Sequence, residues 1–315
     1  MSSTMYFNVF SLVEGVVAIT LNACITLINM NDLRQGKKLS PSDIIHMVMG
    51  MVNISMSSFL NGHFLGMWLS VSYSIWFYVT ATPLSFLMYY TFWLTAWICA
   101  YYCTSITTTS HRLFTWMRRC LSTSLPYLLV FTGLGLLLIS LPANWILHPK
   151  LQGQYFGNDT FILTRVGIES KSIVYTVVTN LLACCLPFLV ILFSLLTTVS
   201  SLLRHVWNMK QSHLEGVQPK LQSHIKAIRT MVMLLILSGI FYVAESILFS
   251  IEAIGDIKIV VSWCLILLFP TAEAIIMIQA SRKLRKAFLG VICPLKLGNN
   301  IKNLGTRNPK HNPAG

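Results

Sequence analysis

Residues 172–203, SIVYTVVTNLLACCLPFLVILFSLLTTVSSLL, run without one charged side chain until Arg204 ends the stretch. A helix needs roughly 20 apolar residues to cross a bilayer's hydrocarbon core, and this run exceeds that need. It is too long for an ordinary core helix. Working outward from it, six further stretches meet the same length, and the seven begin near Tyr6, Asp43, Val79, Leu125, Ser172, Ala227 and Lys258. The second is the most polar, interrupted by Asn53, Asn61 and His63. Across 315 residues the chain is 55% hydrophobic and 10% charged, a balance suited to a bundle dissolved in lipid. The fold class expected is an all-α, seven-transmembrane helical bundle.

The net charge of +13 does not point to nucleic acid, because Lys and Arg sit in short clusters between apolar runs. Nineteen of the 23 basic residues fall on one side of the predicted bilayer: in the first loop, around Arg112 to Arg119, between Arg204 and Arg229, and in the tail. Only Lys150, Arg165, Lys171 and Lys258 fall on the other. The positive-inside rule then sets the N-terminus outside and the C-terminus in the cytosol. The sequon Asn158-Asp159-Thr160 lands in the second external loop, making Asn158 a candidate glycosylation site. Nearly all of the 8 cysteines lie in apolar runs or the basic tail, so no disulfide framework is expected. The N-terminal MSSTMYFNVF lacks a basic leader region, and the first run is expected to stay as the first span.

After the seventh span, Ser281-Arg-Lys-Leu-Arg-Lys-Ala-Phe-Leu-Gly-Val-Ile292 gathers Leu284, Phe288, Val291 and Ile292 on one helical face. Basic residues spread over the others, as in a helix lying on the inner leaflet. Cys293 follows, either palmitoylated or a plain thiol. Residues 1–292 thus read as one membrane domain with a short amphipathic eighth helix. Residues 293–315 read as a disordered cytoplasmic tail.

This layout suits a G-protein-coupled receptor, yet rhodopsin-like marks are missing: the third span ends in Tyr101-Tyr102-Cys103 and the seventh lacks Asn-Pro-x-x-Tyr. Other motifs run along most of the chain. They are Asn22-x-Cys24-Ile25-x-Leu27-Ile28-Asn29; Leu39-Ser40-Pro41-x-Asp43; Trp93, Tyr102, Ile106, Ser110, His111, Phe114, Trp116 and Arg118; Leu186-Pro187-Phe188 with Ser194, Leu202, His205 and Met209; His224-Ile-Lys-Ala227; and Pro270 with Lys283-Leu284 and Ala287-Phe288-Leu289. In this order and spacing the chain resembles the type 2 (bitter) taste receptor family. Three positions depart from that pattern: Asn53 stands for the family's second-span Arg, Glu273 (with Ala274) for the His of a seventh-span His-Ser pair, and Ser281 for an Asn before the eighth helix. A type 1 vomeronasal receptor shares the layout but fits the His205 and His224 blocks less well.

The resemblance implies a plasma-membrane chemosensory receptor that binds a small bitter-type agonist within the bundle and activates a taste-type heterotrimeric G protein, with no cofactor. On it, Asn22, Asn53, Tyr102, Phe241 and Glu273 are candidates for an activation network, and Ser110, His111, Arg118, His205 and His224 for the G-protein face. Register places Phe64, Trp68, Leu84, Ser85, Met88, Tyr89, Asn180, Ala183, Glu245, Leu248 and Trp263 around an apolar, aromatic pocket. An ionisable group inside a bilayer is expensive and needs a partner. Glu14, Glu245 and Glu273 lie in the spans, and no Lys or Arg accompanies them. Glu273 reads either as a switch or as a static hydrogen-bonding carboxyl, and Glu245 either as a ligand anchor or as a satisfied core acid. A zinc-dependent membrane enzyme finds no support, since the 8 His are scattered without a paired acidic motif. Nor is there an internal repeat of the kind transporters carry.

The topology is directly testable. Glycosidase treatment of the expressed chain should give a mobility shift, and Asn158→Gln should abolish it; a shift that persists in the variant would locate the glycan elsewhere.

Overall fold

The computed structural model describes residues 2–68, 73–107, 112–156, 160–211, 218–248 and 256–292. In chain order they form α1 (Ser2–Arg34), α2 (Pro41–Trp68), α3 (Tyr73–Ile106), α4 (Arg112–Ser140), the short α5 (Ala143–Ile146), β1 (Leu147–Phe156), β2 (Thr160–Ser170) and α6 (Ile173–Thr179). A π-helical turn (Asn180–Cys185), α7 (Leu186–Gln211), α8 (Gln218–Leu248), α9 (Asp256–Ala280) and α10 (Arg282–Ile292) follow. Among the described residues, 7 helical segments are long and apolar enough to cross a membrane: Tyr6–Arg34, Pro41–Gly66, Tyr78–Ile106, Thr123–Ile146, Ile173–Arg204, Ile225–Leu248 and Val260–Ala280. Each begins within a residue or two of its expected start. The chain is a multi-pass membrane bundle, and its large exposed apolar side chains, such as Phe131, Leu138 and Phe193, suit a solvent of lipid tails.

Local sequence sets the turns. α1 ends at Gly36, whose φ of 73° is the left-handed conformation that glycine adopts without a Cβ penalty. There Gly36 N–H bonds Leu33 O and Lys37 N–H bonds Asp32 O, closing a Schellman motif. Ser40 then caps α2: its hydroxyl accepts from Asp43 N–H at 3.2 Å while the Asp43 carboxylate accepts from Ser40 N–H at 3.3 Å. Pro41 occupies the first helical position, where a missing N–H costs nothing. The Lys283 ammonium at the start of α10 donates to Asn29 Oδ1 and Asp32 Oδ2, each at 2.7 Å. It thereby holds α10 against the α1–α2 turn. Ser281 accepts Leu284 N–H at 3.3 Å and caps α10, so the departure from Asn keeps a capping side chain.

The β1–β2 hairpin was not legible in the spans-and-loops reading. Its strands pair antiparallel from Leu147 opposite Ser170 to Phe156 opposite Thr160, with a bulge at Gln152/Gly153. The missed signal is the run Thr160-Phe-Ile-Leu-Thr-Arg-Val166, rich in β-branched residues, after Gly157-Asn158-Asp159, residue types common between strands. Asn158 itself, like Cys293 and the tail, lies outside the described residues. At the hairpin's root Leu147 is buried with Ala81 and Ala143.

α3 runs through the middle, packed against α2, α4, α7 and α8. α1 and α2 approach closely at Gly50, where a Cβ would come within 2.5 Å of Thr26 Oγ1 and 3.1 Å of Asn22 O. Gly62, on the same helix, has nothing within 4 Å of that position. Gly50→Val is expected to lower stability by about 1–3 kcal/mol through overpacking. Gly62→Ala should be neutral or slightly stabilising. Thermal unfolding of the purified variants checks the contrast, and equal effects would place no close approach at Gly50.

Candidate functional site

Two polar centres lie in the bundle. The inner one forms around Glu273 on α9, fully buried. Its Oε2 accepts from Asn53 Nδ2 of α2 at 2.8 Å and its Oε1 from Thr95 Oγ1 of α3 at 2.8 Å. Asn53 Nδ2 also reaches Asn22 Oδ1 of α1 at 3.2 Å, and Asn22 Nδ2 donates to Pro270 O of α9 at 3.2 Å. Four helices therefore meet through one chain of hydrogen bonds. The close approach at Gly50, one turn from Asn53, lets the amide of Asn53 reach Asn22. Three residues singled out from the sequence, Asn22, Asn53 and Glu273, are joined here; Thr95 was missed. A threonine in a helix lies within reach of its own preceding turn, and Thr95 shares its one hydroxyl proton between Thr91 O at 3.0 Å and Glu273, so its sequence carries no sign of the second partner.

Phe241 of α8 is buried between Phe92 of α3, with ring centroids 5.3 Å apart, and Phe269 of α9 at 4.3 Å. Tyr102 is half-buried beside Tyr101 and makes no hydrogen bond to the Glu273 chain. The third intramembrane acid, Glu14, accepts from Thr271 Oγ1 at 2.5 Å.

The outer centre is a small cavity beneath the hairpin root, of about 10 Å³, enough for roughly one water molecule. Tyr89, Tyr175, Thr176, Thr179, Asn180, Cys184, Leu147 and Glu245 line it. Of the side chains placed near a pocket from register, Tyr89, Asn180 and Glu245 converge here. The Glu245 carboxyl, 5% exposed, accepts the Cys184 thiol at 3.5 Å, a weak donor. Met88, Ala183 and Leu248 are buried in the surrounding core, with Leu84 packed against it and Ser85 buried one turn before Tyr89. Phe64 and Trp263 meet edge to face at 5.3 Å in a separate aromatic group with Phe7 and His63. His63 was not anticipated in that role; its ring also bonds Thr80 Oγ1 at 3.1 Å. Trp68 closes α2, and its side chain is outside the described set.

Pro187 follows the π-helical turn that supplies Asn180 and Cys184 to the wall of this cavity. In the π-helical turn, Leu186 N–H reaches back to Leu181 O. The next N–H in that pattern would serve Leu182 O, but it belongs to Pro187, which has none. Trp93 Nε1 of α3 supplies the donor instead, at 3.2 Å. Such π-helical turns often mark functional sites.

At the α10 end of the bundle, Arg118 lies on α4, His205 on α7 and His224 on α8, their side chains outside the described set. Ser110 and His111 lie outside the described residues altogether.

The seven-span bundle with a short terminal helix and a polar chain through α1, α2, α3 and α9 has the architecture of a seven-transmembrane receptor. A family model described as Taste receptor protein (TAS2R) matches residues 1–296. Taste receptor type 2 member 8 of Papio hamadryas is 26% identical over 291 residues, covering 90% of this chain and 94% of the relative. Member 9 of the same species is 24% identical over 308 residues, covering 93% and 95%. Member 46 of Pan paniscus is 26% identical over 295 residues, covering 91% and 93%. The chain belongs to the type 2 taste receptor family, a divergent member of a group of chemosensory receptors and not of enzymes.

Trp93→Phe should lower thermal stability by about 1 kcal/mol by leaving Leu182 O without a donor. Adding Pro187→Ala, which restores a backbone N–H, should recover most of that loss. If Pro187→Ala is equally harmful with and without Trp93, the indole does not serve that carbonyl.

Proposed function

We propose that this receptor binds small bitter-type molecules at the hairpin end of the bundle and activates a taste-type heterotrimeric G protein at the α10 end. It would sit in the plasma membrane with its N-terminus outside, as the distribution of basic residues supports. The carrying observation is the Glu245 carboxyl facing a cavity shared with Tyr89 and Asn180, with a thiol as its hydrogen-bond donor. Glu273 receives donors on both oxygens and Glu14 a hydroxyl on one, whereas Glu245 is met by a weak thiol donor and borders the cavity, which makes it the acid best placed to take a ligand. An amine agonist would supply the missing cation and donate a charge-assisted hydrogen bond, typically worth about 1.5–3 kcal/mol.

Ser85, Met88 and Leu248 would form the apolar wall as the cavity opens around an agonist, with Phe64, Trp68, Leu84, Ala183 and Trp263 behind it. The Asn22–Asn53–Glu273 chain and Phe241 would carry the response toward Tyr102 and the G-protein face at Ser110, His111, Arg118, His205 and His224.

Calcium imaging in cells co-expressing a promiscuous taste-type G protein tests the reading. Glu245→Gln keeps the shape and removes the charge, and it should raise the effective concentration of amine agonists about tenfold or more. Neutral agonists should change little. Equal losses for both ligand classes would assign Glu245 to folding or activation, and an unchanged amine response would remove it from the binding site.

A further inference from the structure

The cavity beneath the hairpin root is lined by hydrogen-bonding groups whose donors are already committed. The Tyr175 hydroxyl donates to Ile139 O at 3.3 Å, the Thr176 hydroxyl to Ser170 Oγ at 2.8 Å, and the Thr179 hydroxyl back to Tyr175 O at 2.8 Å. Cys184 gives its thiol proton to Glu245 Oε2, and Asn180 Nδ2 donates to Thr176 O at 3.2 Å. Even the N–H groups at the start of α6 are taken, that of Tyr175 by Ser172 Oγ at 3.2 Å and that of Thr176 by Ser172 O at 3.1 Å. Among the described lining residues, at most the Tyr89 hydroxyl and the second N–H of Asn180 remain to donate.

Acceptors are in surplus. A carbonyl can be met only by the NH2 end of an amide, so Thr176 O fixes the Asn180 side chain and leaves Oδ1 as the acceptor on its other branch. Glu245 is buried, and among the described residues no donor reaches its Oε1. The threonine and tyrosine oxygens keep lone pairs as well. A carboxyl group with unfilled acceptors around it, enclosed within the bundle, calls for a cationic partner that carries several protons. The space beside them, about 10 Å³, holds roughly one water molecule, and an ammonium head is of that size.

We propose that the cavity is a socket for the primary ammonium group of an agonist, and that it discriminates among amines by their number of N–H donors. This deepens, and rests on, the reading of Glu245 as the acid that meets an amine. The three protons of the ammonium are shared among Glu245 Oε1, Asn180 Oδ1 and the hydroxyl oxygens of Thr179 and Tyr89, and the bound cation holds the carboxyl ionised. Each N-methyl group removes one proton, leaves one buried acceptor unpaired and adds a carbon that the space does not hold. A carboxylate or sulfonate is rejected twice, by the charge of Glu245 and by the shortage of donors.

The probes are 2-phenylethylamine and its N-methyl, N,N-dimethyl and N,N,N-trimethylammonium analogues, each titrated against the full-length receptor in nanodiscs and read by thermal unfolding. All four are cations at neutral pH, so body and charge stay constant while the N–H count falls. Half-saturation by the primary amine should come at a concentration about tenfold or more below that of the dimethyl analogue, with the trimethylammonium salt weakest. Thr179→Val, which keeps the shape, and Asn180→Leu should each narrow that ratio to about threefold or less, whereas a loosened bundle would weaken all four probes alike. An ordering that survives both substitutions would overturn the assignment of the protons to this lining. Binding that is equal across the series yet lost in Glu245→Gln would overturn the socket and leave the amine reading of Glu245 standing. No shift with any probe, or an ordering unchanged in Glu245→Gln, would overturn both.

Discussion

A carboxyl group inside a bilayer cannot be left without partners, and the Glu273 arrangement shows what satisfying that demand requires. Both of its oxygens are occupied, one by an amide from α2 and one by a hydroxyl from α3. The amide is shared onward to α1, and α1 returns to α9 through Pro270 O. That circuit needs α1 and α2 to lie close enough for Asn53 to reach Asn22, which a side chain at Gly50 would prevent. Between helices in lipid no hydrophobic gain distinguishes one packing from another, so hydrogen bonds and close contacts of this kind carry a larger share of the specificity.

The same constraint is met differently at the three buried acids. Glu14 and Glu273 are met by Thr and Asn side chains of neighbouring helices, whereas Glu245 is met by the thiol of Cys184. Glu245 also stands where the helix wall is irregular, beside a π-helical turn whose orphaned carbonyl borrows the Trp93 indole. A carboxyl with a weak donor beside a cavity is a different chemical object from one held by two strong donors.

Much of this was legible in the sequence. The seven spans follow from apolar length, and Asn22, Asn53, Glu245 and Glu273 announce themselves as polar groups in apolar runs. What stayed hidden has physical reasons. Thr95 and the other helical threonines bond their own preceding turns, so no unmet need shows in the sequence. The π-helical turn receives a donor from another helix, which periodicity along one helix cannot reveal. Phe92 and Phe269 look like any other apolar residues until Phe241 is packed between them. The family's second-span Arg and seventh-span His are replaced here by Asn53 and Glu273, and these two departures turn out to be the ends of one hydrogen bond. Read singly they look like losses; together they are a compensated pair.

The most direct measurement is a double-mutant cycle on that bond, with Asn53→Ala, Glu273→Ala and both together, followed by thermal unfolding in lipid nanodiscs. A coupling of about 0.5–3 kcal/mol is expected, as for residues that share one buried network. Strictly additive losses would contradict a bundle held together through Glu273.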